Sequence, residues 1–128
     1  MRQRDDGFAL AAVLLAILLL SIGLALVAAS LQLRMRLVRR EAQSVTLTAL
    51  SDAAMAETLA ELGADAYYHG ATEHDLGPGR LRSEVRFLSP GRYEVVATAT
   101  YAGRERTVEA EVLRPAGAAP RVLRWQRR

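Results

Sequence analysis

A chain of 128 residues holds one domain of ordinary size, and setting aside its apolar N-terminal stretch leaves room for only a small core. Its 17 basic residues are all Arg, set against 14 acidic ones for a net charge of +3. From Gln32 onward the two signs interleave, which excludes the clustered basic footprint of a nucleic-acid binder; no direct nucleic-acid partner is expected. Cys is absent, so a disulfide framework, a thiolate nucleophile and any Cys-ligated zinc or iron–sulfur centre are excluded as well.

Residues 1–7 are short, charged and hydrophilic up to Gly7. Phe8 then opens an uncharged run to Leu31, FALAAVLLAILLLSIGLALVAASL, in which only Ser21, Gly23 and Ser30 interrupt the apolar side chains. As a helix, residues 8–31 extend roughly 36 Å, enough to cross a hydrocarbon core of about 30 Å. A buried core helix does not fit, because so small a chain cannot surround a helix that is apolar on every side. A secretory signal does not fit either, because its apolar region is only about 7–15 residues long. Within the run, Ser21, Ala25 and Ala29 repeat at a spacing of four, as do Ala12 and Ala16. Such rows allow close helix packing in a membrane, and Ala richness alone also accounts for them.

The helical pattern continues over residues 32–62, which contain neither Pro nor Gly. Met35, Val38, Ala42, Val45, Ala49, Ala53, Ala56 and Leu59 follow steps of three or four and are expected to form the buried face of an amphipathic continuation. Gly63 is the expected helix stop, through a left-handed cap. Residues 63–79 read as a loop ending in Gly77-Pro78-Gly79.

Residues 80–114 alternate. Leu81, Ser83, Val85 and Phe87 share one face; Tyr93, Val95, Ala97, Ala99 and Tyr101 follow after Ser89-Pro90-Gly91; Val108, Ala110 and Val112 follow after Ala102-Gly103. The pattern predicts a three-stranded antiparallel β-meander with one apolar face, covered by the amphipathic helix. Residues 115–128 break the alternation at Pro115 to Pro120 and end in the basic segment RVLRWQRR, expected as a solvated or frayed tail. The fold class is therefore α+β.

No catalytic constellation is present, and no cofactor is expected. His69 and His74 lie in the loop with Asp65, Glu73 and Asp75, but loop His and carboxylates are usually solvated, so no metal site is assigned. The serines have no base at a recognisable spacing, and Gly77-Pro78-Gly79 is a turn rather than a phosphate loop. The chain does not read as an enzyme.

A charged segment ending in Gly7, followed by Phe8 and an apolar helix that continues as an amphipathic helix and a β-meander, resembles the type IV pilins and pseudopilins. Tyr93-Glu94-Val95, Ala97-Thr98-Ala99-Thr100-Tyr101, Gly103 and Arg106-Thr107-Val108-Glu109 are similar to the last hairpin of PilX-like minor pilins. The resemblance implies a prepilin leader over residues 1–7. A prepilin peptidase would cleave it after Gly7, and the new N-terminal Phe8 would be N-methylated. It further implies partners among other pilin or pseudopilin subunits, packing through the N-terminal helix in the inner membrane, with the C-terminal domain periplasmic. The fifth residue from Phe8, where major pilins carry Glu, is Ala12. This departure points to a minor subunit, such as the PilX-like minor pilins or the K-type minor pseudopilin of type II secretion, which often lack that Glu. An unpaired carboxylate in the membrane is costly, and a subunit with none ahead of it offers no amine to neutralise. Arg34, Arg36, Arg39 and Arg40 follow the span and outnumber Arg2 and Arg4 before it, which by charge alone puts the C-terminal side in the cytoplasm. That count motivates the alternative, a bitopic inner-membrane protein whose cytoplasmic β domain binds a partner.

Overall fold

The computed structural model describes residues 2–128, with side chains from Asp6 onward. Of the leader expected over residues 1–7, Met1 and the side chains of residues 2–5 lie outside the described residues. One helix, α1 (Arg2–Ala64), is followed by five strands: β1 (His74–Leu76), β2 (Gly79–Ser89), β3 (Arg92–Tyr101), β4 (Arg104–Leu113) and β5 (Arg121–Arg127). The chain divides into two units, Met1–Arg40 and Glu41–Arg128.

In the second unit the strands form one antiparallel sheet in the order β1-β2-β3-β4-β5. The alternating segments pair as a meander, with Leu81 opposite Ala99, Val85 opposite Val95, Ala97 opposite Val108 and Tyr93 opposite Val112. Both expected turns close its hairpins. Ala102 and Gly103 have φ of 50° and 72°, the paired positive angles of the two-residue turn that matches strand twist. Gly91, at φ 76°, follows Pro90 in the Pro-Gly order that suits a type II turn.

The sheet has five strands where three were expected. β1 is a three-residue edge on β2, joined by the Gly77-Pro78 turn. β5 is the more informative correction, because it turns the expected frayed tail into a strand on β4. Trp125 lies opposite Ala110 and Val122 opposite Val112, while Arg124 lies opposite Glu111 and Arg121 opposite Leu113. The alternation in RVLRWQR thus continues the apolar and charged faces of β4. A register shift between Glu111 and Val112 absorbs Leu123.

One face of this sheet is covered by the part of α1 within the second unit. The buried helix residues are Leu47, Leu50, Ser51, Ala54, Met55, Thr58 and Leu62, at steps of three and four. They close a core with Leu81, Val85, Tyr93, Val95, Ala97, Ala99, Val108, Ala110 and Val112. This corrects the expected helix face: Val45 is 65% exposed, Ala49 and Ala56 are exposed, and Leu59 packs only partly against the core. The reason is volume. The middle of the sheet offers Ala97, Ala99 and Ala110, so an Ala-rich helix face laid against it would leave the layer underfilled. The face carrying Leu50, Met55 and Leu62 supplies the missing bulk, at about 1.5–3 kcal/mol for each large side chain buried.

Two hydroxyls go down with that face at little cost. Ser51 Oγ donates to Thr48 O at 2.8 Å, and Thr58 Oγ1 donates to Ala54 O at 2.7 Å, so neither is left unpaired in the core.

The helix ends at Ala64, one residue beyond Gly63. Gly63 eases a close approach and does not form a left-handed cap: a Cβ there would lie 3.2 Å from Pro120 Cδ, tighter than ordinary contact. The exit is made by Asp65, whose carboxylate accepts from Tyr67 N at 2.9 Å. Arg114, at the end of β4, donates to the orphan carbonyls of Leu62 at 2.8 Å and Gly63 at 3.3 Å, as a basic group at a helix C-terminus should.

Candidate functional site

The residues singled out from the sequence, Gly7, Phe8 and Ala12 at the start of the apolar run and Ser21, Ala25 and Ala29 within it, all fall within α1. Gly7 and Phe8 are consecutive helical residues; a Cβ at Gly7 would meet nothing within 4 Å, and Phe8 is 79% exposed. Ala12 stands one turn further on and is also exposed. Gly7 costs the helix about 1 kcal/mol of stability relative to Ala at this position.

From Phe8 to Leu31 every residue is exposed, including Leu10, Leu14, Leu18, Leu20 and Leu24. Water is a poor solvent for such a surface, at about 25 cal/mol per Å² of apolar area. Among the described residues, α1 is the one helix long and apolar enough to cross a membrane. Its hydroxyls are satisfied within the helix: Ser21 Oγ donates to Ile17 O at 2.8 Å, and Ser30 Oγ donates to Val27 O at 2.9 Å. Both polar groups therefore suit an apolar solvent. Ser21, Ala25 and Ala29 lie on successive turns of one helix face, all exposed, and the small side chains leave that face open to close approach.

In the second unit, the residues weighed as metal ligands do not converge. Among the described residues no group of three His, Cys, Asp or Glu side chains is close enough to hold a metal ion. His74 and His69 serve different places. His74 Nδ1 hydrogen-bonds Thr72 O at 3.1 Å, and its Nε2 meets Glu57 Oε2 at 3.3 Å. The Thr72 carbonyl first, and then the Glu57 carboxylate, hold the imidazole above its ordinary pKa, since both interactions favour the protonated ring. On the outer face of the sheet, the Arg86 guanidinium at 2.8 Å holds the Glu84 carboxyl below the usual carboxylate range.

His69 instead lines a cavity of about 410 Å³ with Ala66, Tyr67, Tyr68, Val85, Phe87 and Tyr93. There the Phe87 and Tyr93 rings meet edge to face, centroids 5.8 Å apart at 76°. Sequence reasoning missed this cavity because its residues come from the loop after α1 and from the β2-β3 hairpin, which only the folded chain brings together. It also missed Arg106, which reaches from β4 to the Thr48 hydroxyl on α1, and Arg114; both read in sequence as surface charges on a strand.

Comparison with protein-family models, with curated proteins and with solved structures gives no match.

Proposed function

We propose that this chain is a non-catalytic minor pilin or pseudopilin, a single-pass inner-membrane subunit that primes, caps or joins a type IV pilus or type II secretion filament through its N-terminal helix. The observation that carries this reading is the Gly7-Phe8 junction at the head of an uncharged apolar stretch, in a chain whose helix from Leu47 onward packs one face on an antiparallel sheet. The open row of Ser21, Ala25 and Ala29 supports helix-to-helix packing as the mode of assembly. Ala12, in place of the Glu of major pilins, supports a minor rather than a major role. In this reading residues 1–7 are a leader removed by prepilin peptidase, Phe8 is N-methylated, and the second unit lies in the periplasm.

Expression with and without a prepilin peptidase, followed by intact mass, tests it. The expected outcome with peptidase is a chain that begins at Phe8, with or without one added methyl. Retention of Met1 to Gly7 in the presence of an active peptidase overturns the reading.

Arg34, Arg36, Arg39 and Arg40 favour a second reading, a bitopic membrane protein with a cytoplasmic β domain that binds a partner. A C-terminal alkaline phosphatase fusion separates the two. Activity is expected from the pilin topology, and its absence, with a cytoplasmic reporter active in the same position, supports the alternative.

A further inference from the structure

The two edges of the sheet are finished differently. On the β2 side, residues 69–71 and then β1 lie along the strand. Ser83 N donates to Ala71 O at 3.1 Å, Val85 N donates to His69 O at 2.9 Å, and Ala71 N donates to Ser83 Oγ at 2.9 Å. Gly70 makes the close approach possible: at φ 108°, any Cβ there would lie 2.2 Å from Ser83 O. The edge of β2 is thereby covered over residues 79–85.

The β5 edge is not. Among the described residues β4 is its one hydrogen-bonded neighbour, every residue of β5 is exposed, and the strand contains no Pro. Val122, Leu123 and Trp125 are 41%, 49% and 40% exposed. Its charges divide into two pairs. Arg127 reaches Asp52 at 3.3 Å, and Arg128, just beyond the strand, reaches Glu109 at 3.4 Å. Arg121 and Arg124 make no ion pair among the described residues; Glu111, opposite Arg124, is held instead by Arg92 at 3.4 Å.

We propose that the outer edge of β5 is a docking site that takes an extended acidic segment of another polypeptide as a sixth strand. An uncovered strand presents a row of backbone donors and acceptors to any extended chain, and the side chains on either face then select which chain pairs. Here one face offers Arg121 and Arg124, which a strand with Glu or Asp at alternate positions neutralises. The other offers the half-exposed Val122 and Trp125, which apolar residues at the intervening positions cover. A second copy of this chain is the wrong occupant. Pairing β5 antiparallel to itself in the fully overlapping register sets Arg124 against its own copy, and like charges directly opposite one another are destabilising. The arginine that discourages this self-pairing also favours an acidic partner. The proposal concerns residues 121–128 and does not depend on the filament reading.

The test uses the full chain in detergent and a labelled, end-blocked octapeptide alternating Val and Glu. Saturable binding is expected, with new amide-exchange protection along residues 121–127, and a Val–Arg octapeptide of equal length should not bind. The R121Q/R124Q double variant should bind about fivefold more weakly or worse. A Val–Glu octapeptide N-methylated at every second residue should lose binding, because it cannot complete the ladder; this comparison on the unaltered chain holds even if the double variant folds poorly. Absence of binding, binding without protection in β5, or equal binding of the N-methylated peptide overturns the proposal. So does concentration-dependent self-association of the chain that protects β5 without peptide.

Discussion

Residues 8–31 and residues 47–62 are both helical and both rich in Leu and Ala, yet the structure treats them oppositely. The first stretch is apolar on every side, and none of it is buried. The second hides Leu47, Leu50, Met55 and Leu62 against a sheet while Val45, Ala49 and Ala56 stay exposed. The difference is where the apolar solvent comes from. A helix with one apolar stripe is solvated by its own chain, whereas one that is apolar all round needs a solvent the chain does not contain. The second stretch answers to packing volume, and the first only to hydrophobicity and length.

The strongest way to break this comparison is to remove the internal solvent. A fragment comprising Glu41–Arg128 keeps the covered sheet and should melt cooperatively by circular dichroism. A fragment beginning at Gly63 exposes Val95, Ala97, Ala99, Val108 and Val112 and should lose the whole folding free energy, about 5–15 kcal/mol for a domain. Cooperative melting of the shorter fragment with its β structure intact would show that the helix is not part of the core.

A single charge sharpens the contrast between helix faces. In the Glu41–Arg128 fragment, Leu62→Asp places a carboxylate where the native side chain is 0% exposed and should cost about 3–5 kcal/mol. Val45→Asp and Ala56→Asp, on the exposed side, should each stay within about 0.5 kcal/mol. Equal losses at all three positions would argue for the other helical phase.

In the first stretch the same kind of substitution should act on membrane insertion and not on folding. Ala25→Arg should cost about 2.5–3.5 kcal/mol of insertion, read as a shift from the integral to the extractable fraction in carbonate extraction. The melting of the second unit in the full chain should not move. A large drop in melting temperature without an insertion defect would reverse the assignment.

The smallest effect belongs to the His74–Glu57 contact, which ties the start of β1 to α1. The folded pKa of His74 is raised, so its contribution to stability is complete below the ordinary His range and is lost as pH rises through the raised folded value. Side-chain exposures of 37% and 45% keep it below about 1 kcal/mol. His74→Ala should flatten the pH dependence of the melting midpoint across that window, and an unchanged profile would show that the contact contributes nothing.

The sequence by itself determined the apolar run, the inward face of β2, β3 and β4, and the turns at Pro90-Gly91 and Ala102-Gly103. Each of these is local: a strand alternates with period two, so a single apolar set marks its buried side, and a run without charge needs no partner to be recognised. Tertiary structure decided the rest. Residues 42–62 carry small or apolar side chains on every side, so periodicity alone did not distinguish the Val45–Ala49–Ala56 stripe from the Leu47–Leu50–Met55–Leu62 face. The small residues of the sheet made that choice, because only bulky side chains fill the layer above Ala97, Ala99 and Ala110. Likewise RVLRWQR becomes a strand only beside β4, whose Ala110 and Val112 on one face and Glu109 and Glu111 on the other give its alternation something to match.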